Sequence, residues 1–174
     1  MAILNVLNAD SSILRQKSKK VRNVDGSIQR LIDDMIETMR AIGGAGLAAP
    51  QVGVPLRIVV VEPPEGELLV LINPEIVRAF GERLVEEGCL SLPGYRGEIK
   101  RSVAVTVKGR DRRGRGLRVK AEDLLAQVLE HEIDHVNGTL YFDHLESQDQ
   151  LYRMDDTSEI SEGTTEGSTV DRGE

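Results

Sequence analysis

The chain has 174 residues, 40% of them hydrophobic, enough for one globular domain with a buried core. A single cysteine excludes an intrachain disulfide framework and points to a reducing compartment, and the absence of a signal-peptide pattern or of ~18 consecutive apolar residues leads us to expect a cytoplasmic protein without a membrane partner. The net charge of -7 is uneven: residues 155–174 carry -6 and the rest only -1, so the body offers no overall field for nucleic acid and no direct nucleic-acid binding is expected.

Residues 2–22 read as an irregular arm with a few apolar anchors. Asp25 is a candidate N-cap for a helix from Gly26 to Ile42, because its carboxylate can accept from the free amides of the first turn. Ile28, Leu31, Ile32, Met35, Ile36 and Met39 form one stripe of helical period, so this helix lays a single face on a core. Gly43 and Gly44 end it, and the tight segment from Gly44 to Gln51 follows. Two strands rich in Val, Ile and Leu are predicted from Leu56 to Glu62 and from Leu68 to Val77, turning at Pro63-Pro64-Glu65-Gly66. A strand from Arg83 to Glu87 leads into Cys89. Val103 to Lys108 and Leu117 to Lys120 are predicted to form a hairpin, and the basic run from Lys108 to Arg118 reads as its solvated face. The last helix is predicted from Ala121 to Asn137, with Gly138 as its stop. Leu124, Leu125, Val128, Leu129, Ile133 and Val136 cover most of its circumference, as in a buried helix. The organisation is one catalytic body over residues 1–152 and an acidic tail over 153–174. From Asp155 onward only Ile160 and Val170 are apolar, too few to offset the entropy of ordering, and disorder is predicted there.

The last helix carries His131-Glu132-Ile133-Asp134-His135. Positions i and i+4 share one face, so both imidazoles can grip one ion, and Glu132, one position round, can reach a water on it. Polar side chains on a buried helix need partners, and a metal supplies them. The third ligand must come from elsewhere. A metallopeptidase of the HExxH type is the alternative reading, but Tyr141 stands where a metzincin needs histidine, and Glu159, the one match to a thermolysin-type ligand, lies in the tail. His144 falls past the helix stop and reads as an exposed loop residue. Cys89 is the better donor: Gly88 permits close backbone approach, and Leu90-Ser91-Leu92-Pro93 provides exposed amides and a rigid exit. A Cys/His/His set leaves one position open, and water activated by a metal and a glutamate is the machinery of hydrolysis. Ligand softness alone admits zinc or iron. The segment from Gly44 to Gln51 is no phosphate loop, because it lacks the Lys-Ser/Thr ending.

Three segments in one order, Gly44-Ala45-Gly46-Leu47-Ala48-Ala49-Pro50-Gln51, Glu87-Gly88-Cys89-Leu90-Ser91 and His131-Glu132-Ile133-Asp134-His135, resemble the three signature motifs of peptide deformylases. Asp10 to Val21 resembles that family's N-terminal arm, and the likeness covers residues 2–147. The resemblance implies an α+β fold, with antiparallel sheets packed around a central buried helix bearing the metal motif. It implies hydrolysis of the formyl group of N-formylmethionine on nascent chains, in transient proximity to the ribosome, with release of formate. It implies Fe(II), with Zn, Ni or Co as substitutes, held by Cys89, His131 and His135. Glu132 becomes the proton carrier, and the Gln51 amide and the Leu90 backbone N–H become donors to the developing oxyanion. Gly46 hydrogen-bonds a substrate lying as an added strand, and Leu124 and Val128 border the methionine pocket. Two features depart from the family. Glu130 stands where glutamine is usual and is expected to tune the ligand environment. The acidic C-terminus replaces the basic helix with which some members dock on the ribosome, and RNA would repel it.

Overall fold

The computed structural model describes residues 2–157. Helix α1 (Gly26–Ala41) is capped as predicted: Asp25 accepts from the amides of Ser27 at 2.9 Å and Ile28 at 3.1 Å. The strands are β1 (Gly46–Ala48), β2 (Ile58–Val61), β3 (Leu69–Phe80), β4 (Arg83–Cys89), β5 (Leu92–Arg101), β6 (Ala104–Arg110), β7 (Gly116–Glu122) and β8 (Leu151–Arg153), with helix α2 (Asp123–Asn137) between the last two. All strand pairs are antiparallel, in a five-stranded sheet ordered β1-β2-β3-β6-β7 and a three-stranded sheet ordered β4-β5-β8.

Alternation along the strands sorts side chains into two cores. Ile58, Val60, Val70 and Ile72 pack with Ile32, Met35 and Met39 of α1. The intervening Val59, Val61 and Leu71, with Val105, Val107 and Ala121, pack with Leu129, Ile133 and Val136 of α2. The large sheet therefore carries one helix on each face, and α2 is the central one. A smaller cluster of Val85, Ile99 and Tyr141 belongs to the second sheet.

Three strands were not predicted. β1 is short and glycine-led. β5 is masked by Pro93, Gly94 and Gly97, residues that ordinarily argue against a strand. β8 pairs with residues 95–97, so regular structure continues past residue 152 and ends in a 3₁₀ turn at Met154–Thr157. The rest of the predicted tail, 158–174, lies outside the described residues. α2 begins two residues later than predicted, because Ala121 and Glu122 stay paired with Val105 and Ala104 and Asp123 makes the turn at φ +51°. Nor is α2 buried all round: Leu124 is 47% exposed and its first turns open onto a cleft. Gly138 stops the helix at φ +80°, where a Cβ would lie 2.8 Å from the Arg15 carbonyl oxygen. No helix among the described residues is long and apolar enough to cross a membrane.

Candidate active site

Cys89 pairs with Leu92, so Leu90 and Ser91 form the tight connection between β4 and β5. This places Cys89 at the end of its strand, facing α2. Its Sγ lies 3.4 Å from His135 Nε2, and the two histidine Nε2 atoms are 3.2 Å apart. Tetrahedral bonds of about 2.0–2.1 Å to nitrogen and 2.3 Å to sulfur set such donors about 3.3–3.6 Å apart. The three donor atoms all fall within 4.8 Å of one another, so the set fits one ion. The Ser91 amide donates to Cys89 Sγ at 3.4 Å. Burial, reinforced by His131, drives the His135 pKa well below its ordinary value and keeps that ring neutral.

Of the two imidazoles only His131 is held from behind; the buried Nδ1 of His135 has no hydrogen-bond partner among the described residues. His131 Nδ1 hydrogen-bonds Glu87, which leaves Nε2 free to face the site. Glu87 in turn accepts from Arg101 Nε at 3.0 Å and Nη2 at 2.6 Å. Arg101 also reaches Asp134 at 2.7 Å, and Asp134 meets His144 Nε2 at 2.8 Å. His144 thus serves this chain of charges from a half-exposed 3₁₀ turn and supplies no ligand. Sequence reasoning gave no role to Glu87, Arg101 or Asp134. Glu130 points elsewhere: it binds the Ser102 amide and hydroxyl at 3.0 and 2.7 Å and clamps the β5–β6 connection, so it does not touch the ligands as expected.

Glu132 is 4% exposed, and its Oε2 has no hydrogen-bond partner among the described residues. Burial, with Glu87 and Asp134 adding to it, pushes its carboxyl up to about 7 against the pull of His131 and Arg101. Gly46 passes so near that a Cβ there would sit 2.6 Å from Glu132 Oε1 and 2.8 Å from its Cγ. Only glycine lets β1 run beside this carboxylate. Gln51 is buried, and its orientation is set by the Ala48 amide, which donates to Oε1 at 2.9 Å. Its Nε2 is left toward Ser91 Oγ, at 3.2 Å, and Cys89 Sγ, at 3.7 Å. Leu90 follows Cys89 directly and its side chain packs against the α1 core. A cleft of about 400 Å³ opens over these groups, and Gly46, Leu124, Val128, Tyr95 and Met154 are among its walls. The fold therefore gathers every residue predicted for the site.

Residues 3–151 match the polypeptide deformylase family. A peptide deformylase of Dehalococcoides mccartyi (strain CBDB1) is 56% identical over 163 residues, covering 93% of this chain and 98% of its own. Among solved structures, a peptide deformylase from Legionella pneumophila is 46% identical with a TM-score of 0.82, covering 86% of this chain and 89% of its own. One from Ehrlichia chaffeensis, in complex with actinonin, is 40% identical with a TM-score of 0.83, covering 86% and 92%. With its motifs gathered around one Cys/His/His cluster, this chain belongs to the peptide deformylase family and is a metal-dependent hydrolase that removes the N-formyl group from nascent polypeptides.

Proposed function

We propose that Cys89, His131 and His135 hold the metal and that Glu132, Gln51, Leu90 and Gly46 carry the deformylation beside it. The convergence of three donor atoms next to a buried carboxylate with a free oxygen supports this assignment most strongly. A divalent ion bound there supplies the Lewis acidity that makes water nucleophilic at neutral pH. Glu132 takes a proton from the attacking water and later delivers it to the leaving nitrogen. The water oxygen bonds the formyl carbon, the C–N bond breaks, and formate and a free amine result. Burial, which opposes the charged form of this carboxyl, favours a group that can both take up and give back the proton. Charge developing on the formyl oxygen meets the Gln51 Nε2 donor and the Leu90 backbone N–H.

Among the described residues β1 pairs only with β2, and its other edge is open. The substrate backbone adds along that edge as a further strand, hydrogen-bonding at Gly46. The methionine side chain enters the cleft against Leu124 and Val128. The resident metal is Fe(II), and Zn, Ni or Co can take its place, since thiolate and imidazole suit all four. The enzyme works in the cytoplasm, in transient proximity to the ribosome, because its substrates emerge there.

The test is formate release from a formyl-Met-Ala-Ser peptide by anaerobically prepared, Fe(II)-loaded protein. Release that stops on chelation and returns with Fe(II) is the expected result. Fully metallated protein that releases no formate, or release that chelation leaves untouched, would overturn the assignment.

A further inference from the structure

The near-neutral sum of charge on the body conceals how the fold sorts charge by face. α1 covers its side of the large sheet over β1 to β3. The same side continues onto β6 and β7, where, among the described residues, α1 reaches only the hairpin tip through Gln29 and Asp33 on Arg112 and no other helix packs. There the in-register rows read Glu75–Lys108–Arg118, Arg78–Thr106–Lys120 and Phe80–Ala104–Glu122. Directly paired residues point to the same side of a sheet, so Arg78, Phe80, Lys108, Arg118 and Lys120 share this bare face. All five are exposed, Phe80 at 73%.

Lys108 has one ion pair, to Glu75 at 3.6 Å, while Arg78, Arg118 and Lys120 have none among the described residues. Lys108 and Arg118 stand directly opposite one another, an arrangement that costs stability. The arm adds to the face. The Val21 amide donates to Asn73 Oδ1 at 2.8 Å, and its carbonyl accepts from Asn73 Nδ2 at 2.9 Å and Arg110 Nη2 at 2.7 Å. Exposed Lys20 and Arg22 are thereby held beside the end of β6, 89 residues away in sequence from Val21 to Arg110. Opposing acids are few. Glu75 is paired to Lys108, Asp111 is engaged by the amides of Arg113 and Arg115, Asp33 by Arg112, and Glu122 stands in the row of Phe80 and Ala104.

We infer that this bare sheet face is a docking surface for RNA. An extended row of cations matches a row of phosphates rather than a point anion, and an exposed ring among them offers a base a stacking platform. An open cavity of about 400 Å³ at the end of these strands, bordered by Arg78, Phe80, Thr106, Lys120, Glu122 and Leu125 of α2, leaves room for such a base, whose amino groups can donate to the Glu122 carboxylate. The face shares no residue with the catalytic cleft, so bound RNA leaves the cleft accessible. An enzyme that acts on newly made polypeptides meets RNA wherever they emerge.

The experiment is fluorescence anisotropy of a labelled single-stranded RNA of about 20 nucleotides titrated with the full chain between about 50 and 200 mM salt. Log affinity should fall linearly with log salt. The double variant Arg118→Glu/Lys120→Glu should lower that slope by about 1.4, at about 0.7 per lost phosphate contact on a single strand. Phe80→Ala should weaken binding about fivefold or more at every salt while leaving the slope unchanged. Both variants should deformylate a short formyl peptide at the unaltered rate, which shows that they fold. Absence of RNA binding at low salt, or wild-type binding by both variants, would overturn the proposal. So would a Phe80→Ala variant that binds RNA and heparin as the unaltered chain does, since this would reduce the face to a general polyanion adhesive.

Discussion

Glu87 shows how much one buried side chain can hold in place. It is 5% exposed, yet it stays charged: burial alone would raise its pKa, and the bonds from His131 and Arg101 outweigh that and hold it at about 2. A charged acceptor behind His131 fixes the ring's tautomer and direction and makes Nε2 a better donor to a metal. Glu87→Gln should therefore weaken metal binding about 10–100-fold, measured by competition with a metallochromic chelator. Unchanged affinity would mean that the carboxylate does not orient the ligand. Residues of this kind were only partly legible in sequence. His131, Glu132 and His135 announce themselves because a helix converts a spacing of four into a shared face. Cys89 was legible by elimination and from its neighbours. Arg101 and Asp134 were not, because the partners in each contact lie 14 and 33 residues apart and no local pattern records a contact across a fold. Gly46 was legible as a motif residue, but its steric reason, the Glu132 side chain 2.6 Å from where a Cβ would stand, needed the structure.

Among the elements, α1 and α2 were the most legible, since long apolar periodicity marks both, Asp25 the start of α1 and Gly138 the stop of α2. The strands of the second sheet were the least. Pro93, Gly94 and Gly97 read as loop, yet β5 lies at the centre of its sheet, where pairing on both sides overrides weak strand preference. The turn at Tyr141–His144 is tied back to α2 through His144 and Asp134. The hydrogen bond to Asp134 raises the His144 pKa above its ordinary 6.5, against the opposing effect of burial. A raised folded-state value means that the contact stabilises fully below the unfolded value and fades as pH climbs through the folded one. Thermal melts of the unaltered chain and His144→Asn should therefore differ more at about pH 6 than at about pH 9. An equal gap at both values, or a wider one at high pH, would show that the charged imidazole is not what ties the turn.

At the scale of the whole molecule, the site is a meeting of distant segments. Cys89 comes from the small sheet, the histidines from the helix beneath the large one, and Gln51 from the stretch after its edge strand. A metal bound across them links the two sheets through α2, so its binding free energy adds to the stability of the whole fold. Charge behaves similarly: a sum of -1 over residues 1–154 says nothing of faces, and only the register of β3, β6 and β7 reveals a cationic one.

The central claim is that Glu132 moves the proton while Cys89, His131 and His135 hold the metal. Its most direct measurement pairs metal content per chain with formate release for Glu132→Gln. The account predicts one metal per chain, as in the unaltered protein, and turnover lowered by about 10²–10⁴-fold. A Glu132→Gln variant that keeps both its metal and substantial turnover would contradict it.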